Sequence, residues 1–280
     1  MPPLLINACL TGMVSAKDRN PHVPISPDEI IRDAIAVAAA GASIVHIHAR
    51  APDGTPTWDP DVYREIITGI RKAAPGLVIC ASTSGRLWSA REKRAAVLML
   101  EGDARPDMGS LTLGSLNFSR AASTNPPEDI LFLLDTMHTL GIKPEFEIFD
   151  LGMADYLRLL VVEGRVQPPV YTNILLGNRG TADADALNLA YLVSRLPPGT
   201  AWAACGIGKH QHPMNSLALA MGGHVRIGLE DNLYMNSETK ELATNPALVR
   251  RIVDAAAALG RLPMTPAETR SLLALQPPAQ

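Results

Sequence analysis

The segment Ser26–Arg50, SPDEIIRDAIAVAAAGASIVHIHAR, holds one complete helix-to-strand unit. Ser26-Pro27-Asp28-Glu29 has the form of a capping box with proline in the first turn. The serine side chain can accept from the Glu29 backbone N–H while the Glu29 carboxylate reaches back. This opens a helix predicted over Asp28–Ala40. Gly41 ends it, because glycine enters the left-handed conformation at little cost. Ser43–His48 then reads as a strand.

The same unit recurs in both directions. Upstream, Leu4–Leu10 reads as a first strand. Downstream, the helix Pro60–Ala74 is followed by the strand Leu77–Ser82 and the helix Ala90–Glu101. Met108–Leu113 pairs with the helix Glu128–Leu140, Pro144–Phe149 with Ala154–Val162, and Val170–Leu175 with Asp183–Leu196. Ala201–Cys205 precedes a helix near Met214–Met221, and Val225–Leu229 precedes Pro246–Leu259. A short helix near Pro266–Leu275 remains. Eight strand-helix units predict an α/β fold, the TIM (β/α)8 barrel, and no linker divides residues 1–280, so a single catalytic domain is expected. Two long connections, Thr11–Ile25 and Glu230–Asn245, follow strands and should lie at the C-terminal face, where barrel active sites sit.

Composition agrees. Hydrophobic residues make up 47% and aromatics only 4%, which favours helices packed closely on strands over an aromatic-rich sandwich. The formal net charge of −3 comes with no basic stripe, so no nucleic-acid partner is expected. The N-terminus has no basic stretch and no cleavage site. No apolar run approaches the roughly 20 residues that span a bilayer. A soluble, cytoplasmic protein without a membrane partner is the expectation. Cys9, Cys80 and Cys205 each sit in an apolar run and read as small buried hydrophobes in a reducing compartment.

Side chains two apart on a strand share a face. The apolar pair Val45 and Ile47 must meet the helices, which turns His46 and His48, with Arg50, toward the barrel axis. Two converging imidazoles suit zinc or a similar metal; two hydrogen-bonded core histidines are the other reading. A catalytic zinc needs a third ligand. On strand 8 the apolar set Val225, Ile227 and Leu229 faces out, so Arg226 and Glu230 face in. Glu230 can complete a His-His-carboxylate site, with Asp231 beside it as a candidate base, unless Glu230 and Asp231 form only a solvated turn. An inward Arg226 needs carboxylate partners. Ser82-Thr83-Ser84-Gly85 ends strand 3, Ser110 and Thr112 share a face, and so do Glu145 and Glu147; each could equally belong to a polar layer. Gly206-Ile207-Gly208-Lys209 and Leu176-Gly177-Asn178-Arg179-Gly180 could hold a phosphate by backbone N–H groups, or simply turn the chain.

These residues carry a resemblance. Leu10-Thr11-Gly12, Pro24–Glu29, Val45–Arg50, Ser82-Thr83, Gly114–Phe118, Gly206-Ile207-Gly208, Gly222-Gly223-His224 and Glu230-Asp231-Asn232 are similar to the β-keto acid cleavage enzymes, nearly end to end. The resemblance implies a zinc-dependent barrel, one Zn2+ per subunit, that assembles as a homo-oligomer, with a tetramer favoured. It implies an acyltransferase reaction in which a β-keto acid and acetyl-CoA, the co-substrate, give acetoacetate and a new acyl-CoA. It implies His46, His48 and Glu230 as metal ligands and Asp231 as general base oriented by Arg226. Ser82 and Ser110 would position the substrate, with Thr83 and Glu145 near it and Gly206 and Gly208 toward the CoA. One departure stands out. Family members acting on an amino-substituted keto acid carry an acidic residue where this chain has Val14. A valine cannot balance an ammonium group, so an uncharged or apolar acyl tail is expected.

Two other classes fit parts of the pattern. A metal-dependent hydrolase of the amidohydrolase type also uses His-x-His in a barrel, but with the pair on strand 1 and more histidines later. A non-catalytic barrel that binds an acyl-CoA or keto acid would have no need of a base at Asp231.

Overall fold

The computed structural model describes residues 1–118 and 121–276; the rest of the expected 1–280 domain lies outside the described residues. Eight parallel strands close into a barrel: β1 (Ile6–Cys9), β2 (Ile44–Ile47), β3 (Val78–Ala81), β4 (Met108–Thr112), β5 (Lys143–Ile148), β6 (Tyr171–Leu176), β7 (Ala201–Gly206) and β8 (His224–Ile227). Each strand pairs with the next, and β8 pairs back onto β1 with Asn7 beside Arg226. The surrounding helices are α1 (Pro27–Ala40), α2 (Pro60–Ala73), α3 (Arg91–Ala95), α4 (Pro127–Leu140), α5 (Leu151–Val162), α6 (Ala186–Arg195), α7 (Gln211–Ala220), α8 (Asn245–Ala258) and α9 (Pro266–Leu273). This is the TIM (β/α)8 architecture.

Local chemistry sets the helix ends. Both halves of the Ser26–Glu29 capping box form, and Gly41 closes α1 with a φ of 117°. Asp150, Asp185 and Thr244 cap α5, α6 and α8 with side-chain oxygens.

Two apolar layers follow from strand parity. Outward residues such as Val45, Ile47, Ile79, Ile174, Val225 and Ile227 are fully buried against the helices. Each such side chain contributes about 1.5–3 kcal/mol of burial. Inward residues at the start of the strands, Leu5, Ile44, Val78, Met108, Tyr171 and Ala203, form a plug that Leu273 of α9 completes. Thr269 of α9 donates to Ser43 at 2.8 Å and fixes that closure. Farther along the strands the inward positions turn polar: His46, Ser110, Glu145, Asn173 and Arg226 are all buried. One end of the barrel is therefore sealed by hydrocarbon, and the other is left for chemistry.

The structure departs from the sequence reading in three places. The expected helix Ala90–Glu101 is a single α turn, Arg91–Ala95, followed by a 3-10 segment, Ala96–Met99. Three residues per turn bring Val97 and Leu100 onto one face, and both are buried. Short hairpins follow β2, β4 and β8: Ala49–Arg50 with Pro56–Thr57, Leu116–Asn117 with Ala122–Ser123, and Tyr234–Asn236 with Glu241–Leu242. Arg50 sits in the first of these. It donates to the carbonyls of Gly12, Ser15 and Gly54, and so ties down the connection after β1 instead of entering the barrel.

The third departure concerns strand 8, expected to run to Leu229. It stops at Ile227, and Gly228 turns the chain with a φ of 151°. A Cβ on Gly228 would lie 2.1 Å from the Cys9 carbonyl oxygen. The Glu230 N–H donates to that same carbonyl at 3.2 Å. Glu230 thus reaches the interior through a turn locked onto β1, not by strand alternation.

Gly228→Ala is expected to cost about 3 kcal/mol in urea unfolding, since it combines a disfavoured φ with a backbone clash. Gly102→Ala, with a φ of 57° but nothing within 4 Å of its Cβ, should cost about 1 kcal/mol. Equal losses in the two variants would contradict this account of the β8 turn.

Candidate active site

His46 and His48 stand at the C-terminal end of β2 with their Nε2 atoms 3.2 Å apart. The Nδ1 of His46 meets Glu145 Oε1 at 2.9 Å, and Asn7 donates to the other Glu145 oxygen at 2.6 Å. A fully buried carboxylate on Nδ1 places the proton there and turns Nε2 toward the open end of the barrel. Glu230 approaches both rings: Oε1 lies 3.3 Å from His48 Nε2, and Oε2 lies 3.7 Å from His46 Nε2.

Arg226 organises the acidic groups. Its guanidinium donates to Glu147 and Glu230 through the two Nη atoms and to Asp231 Oδ2 through Nε, each at 3.0 Å, with Glu145 at 3.6 Å. Its side chain is 1% exposed. Four carboxylates outnumber the one guanidinium in a largely buried space, a negative excess that a dication would reduce. Glu230 Oε2 is buried and has no hydrogen-bond partner. The donor atoms of His46, His48 and Glu230 all lie within 4.8 Å of one another. Two imidazole nitrogens, one carboxylate and an unused buried oxygen therefore fit a divalent ion with an open coordination position. A second group, His46, Cys80 and Glu145, is wholly buried beneath the first. Burial pushes the Cys80 thiol up, so it is a poor thiolate donor there.

The titration behaviour reflects the same charge excess. Burial alone would lower His46, but the carboxylates of Glu230 and Glu145 push it up to about 9. Burial lowers His48 against the pull of Glu230. Burial would raise Glu230, yet His48, Arg226 and His46 together hold it well below the usual carboxylate range. Asp231 goes the other way: burial raises it, and Arg226 only partly offsets this. Two adjacent carboxylates thus differ in character, Glu230 held as an anion and Asp231 the more basic. Arg226 Nε and the Cys205 thiol, at 3.3 Å, both point at Asp231 Oδ2. Neither touches Oδ1.

These groups border a cavity of about 480 Å³. Ser82, Val14 and Gly208 line it as well, Val14 being 45% exposed. Four residues expected near the ligands stand elsewhere. Glu145 is fully buried behind His46, too deep to meet a substrate. Ser110 is buried with its hydroxyl accepting from the Thr83 N–H, and Thr83 spends its own hydroxyl on the Ser110 carbonyl at 2.5 Å; neither lines the cavity. Gly206 is also outside the lining, because a Cβ on it would meet the His210 carbonyl at 2.1 Å; its smallness lets the 3-10 turn Gly208–His210 fold back. Gly208 gives its N–H to the Asp231 carbonyl at 2.7 Å, so that donor is not offered to a phosphate.

Sequence reasoning assigns no site role to three residues found here: it names Glu147 only as sharing a face with Glu145, reads Cys205 as a buried hydrophobe, and passes over Arg86. Glu147 binds Arg226 and accepts from Thr112 at 2.7 Å; its parity with Glu145 was the available signal. Cys205 lies one residue before the end of β7 on the inward face, where parity separates it from the outward apolar set. Arg86 enters the cavity from the loop after β3, where no periodicity applies.

Comparison with known proteins identifies the family. The family description "beta-keto acid cleavage enzyme" matches residues 3–275. A 3-keto-5-aminohexanoate cleavage enzyme of Fusobacterium nucleatum is 36% identical over 277 residues, 99% of either chain. A 3-oxoadipate:acetyl-CoA acetyltransferase of Cupriavidus necator is 37% identical over 98% of this chain and 95% of its own. Among solved structures, apo ObcA superposes with a TM-score of 0.82 at 22% identity, over 91% of this chain and 66% of that longer one, a likeness of fold alone. With the family match spanning residues 3–275 and these relatives 36% and 37% identical over nearly the whole chain, the chain belongs to the β-keto acid cleavage enzyme family.

Proposed function

We propose that this protein is a zinc-dependent acyltransferase that exchanges acyl groups between a β-keto acid and acetyl-CoA, releasing acetoacetate and a new acyl-CoA. The observation that carries the reading is the convergence of His46, His48 and Glu230 beside Asp231, with Arg226 bonded to both carboxylates. Zinc held by those three residues would supply Lewis-acid stabilisation of the negative charge that develops on the keto oxygen.

The chain's own residues account for the remaining steps. Asp231 removes a proton from C2 of the keto acid, its burial making it a stronger base than a free aspartate. Arg226 and Cys205 fix Asp231 by Oδ2, so Oδ1 is the oxygen that takes the proton. The C2 carbanion attacks the acetyl carbonyl, a C–C bond forms, and the CoA thiolate leaves. That thiolate adds to the original ketone, the bond between C2 and C3 breaks, and the acyl group departs as its CoA thioester. Asp231 returns the proton to C2 of the acetoacetate formed. Ser82, at the cavity wall, is placed to hydrogen-bond the keto acid carboxylate. Arg19, Lys209 and Lys240 are exposed cations of the same cavity and suit the phosphates of CoA. Val14 offers no anion, so the tail carries no positive charge.

We read the chain as one catalytic unit, supported by the family match from residue 3 to 275. Assembly with copies of itself as a homo-oligomer, a tetramer favoured, is supported by exposed Leu159 and Val162 on α5 and Leu187 and Tyr191 on the adjacent α6. No helix among the described residues is long and apolar enough to cross a membrane, consistent with cytoplasmic work on small molecules.

Three outcomes follow. Asp231→Asn should keep keto acid affinity by calorimetry and lose turnover by about 10³-fold; a variant as active as the parent would remove Asp231 as the base. Chelation should abolish acetoacetate formation, and one equivalent of zinc per chain should restore it, with His48→Ala unable to retain the metal by elemental analysis; full activity in metal-free protein would refute the cofactor. Turnover of 3-keto-5-aminohexanoate should fall at least about 10²-fold below the best substrate without a cationic tail, and parity between them would contradict the reading of Val14.

A further inference from the structure

Arg86 has no role in the chemistry above, yet it is the half-buried cation of the cavity. Its guanidinium carbon stands 3.7 Å from the centroid of the Phe118 ring, and Phe118 packs edge-on against Phe149 at 5.8 Å. Among the described residues its side chain forms no hydrogen bond or ion pair, and its backbone N–H donates to Ser84 Oγ. The acidic residues of the cavity, Glu147, Glu230 and Asp231, are all engaged by Arg226. A guanidinium held over an aromatic face is steadied by the ring and can still offer N–H groups to a planar, two-oxygen acceptor. Partial desolvation makes a missing anion costly, so the arrangement is complete only when a ligand brings one.

Three anions could be brought by the proposed substrates. The C1 carboxylate common to all β-keto acids belongs beside its keto group, at the cluster of His46, His48 and Glu230, where Ser82 already stands. The phosphates of CoA are matched by the exposed Arg19, Lys209 and Lys240. That leaves the far end of the acyl tail. Val14 excludes a cation there but does not separate neutral from anionic tails; Arg86 does.

We propose that Arg86, presented on the Phe118 ring, is a specificity-determining residue that selects β-keto acids whose acyl tail ends in a carboxylate, a β-keto dicarboxylate class. This rests on the β-keto acid reading and narrows its tail from any without a positive charge to an anionic one, in place of the uncharged tail expected from the sequence.

The test compares matched pairs of the same carbon chain with and without the terminal carboxylate, 3-oxoadipate against 3-oxohexanoate first and then longer and shorter pairs, using acetoacetate formation with acetyl-CoA. The parent enzyme should favour the best dicarboxylate over its partner by about 10²-fold in kcat/KM. Arg86→Gln should erase that preference by raising KM for the dicarboxylate, leaving the monocarboxylate and the KM for acetyl-CoA unchanged. Arg86→Glu should invert it and admit 3-keto-5-aminohexanoate. A parent enzyme that prefers monocarboxylates overturns the proposal while leaving the reaction intact. An equal loss on both members of a pair in Arg86→Gln would assign Arg86 to C1, and a rise confined to acetyl-CoA would assign it to CoA; either overturns the proposal. Acetoacetate from no keto acid at all would defeat the underlying reading, and this inference with it.

Discussion

The site depends on one buried guanidinium. Arg226, from β8, holds Glu147 of β5 and the adjacent Glu230 and Asp231, with Glu145 close behind. Without it, four largely buried carboxylates would face one another at the cavity floor, and breaking such a buried network costs about 3–5 kcal/mol. The guanidinium also assigns roles by geometry. It meets Glu230 on one oxygen and leaves Oε2 without a hydrogen bond; it meets Asp231 on Oδ2 and does not touch Oδ1. The two oxygens that Arg226 does not bond are the ones that the proposed metal and the proposed proton transfer would use. Glu145 repeats the device on His46: by accepting at Nδ1 it commits Nε2 to the cluster.

The barrel makes that concentration of charge tolerable. Leu5, Ile44, Val78, Met108 and Tyr171 seal the opposite end, with α9 closed over them. The apolar belt between strands and helices supplies the stability against which the polar interior is built. The turn at Gly228 links the two. Its contact with the Cys9 carbonyl docks the end of β8 on β1 and delivers Glu230 and Asp231 to one place.

Much of this was legible in the sequence, for identifiable reasons. Strand parity is a strict rule, so Val45 and Ile47 facing the helices required His46 and His48 to face in. The capping box at Ser26–Glu29 and the glycine at position 41 marked α1 closely. The inward Arg226 and its need for carboxylates followed from charge burial alone. Glu230 came out on the correct side through a path that parity did not describe, since strand alternation stops at Ile227 and Gly228 redirects the chain. Depth along a strand was the weaker inference. Parity placed Glu145 and Ser110 inside the barrel but could not tell a layer beneath the site from its surface. Thr83 and Gly206 stand off the cavity wall because a hydrogen bond and a close backbone approach are set by neighbours that parity does not describe. Arg86 escaped notice because a loop residue has no period to read, and its meaning comes from Phe118, which the hairpin after β4 brings to it.

Family membership and geometry meet at a single claim: bonds are exchanged between two acyl partners at a site where Asp231 generates a C2 carbanion. The most direct test is isotope tracing with a β-keto acid labelled with carbon-13 at C2, incubated with unlabelled acetyl-CoA and followed by NMR. The account predicts label at C2 of acetoacetate and an unlabelled new acyl-CoA. Label appearing in acetate or in the acyl-CoA would contradict it, because either outcome requires the bond between C2 and C3 to break by hydrolysis or not to break at all.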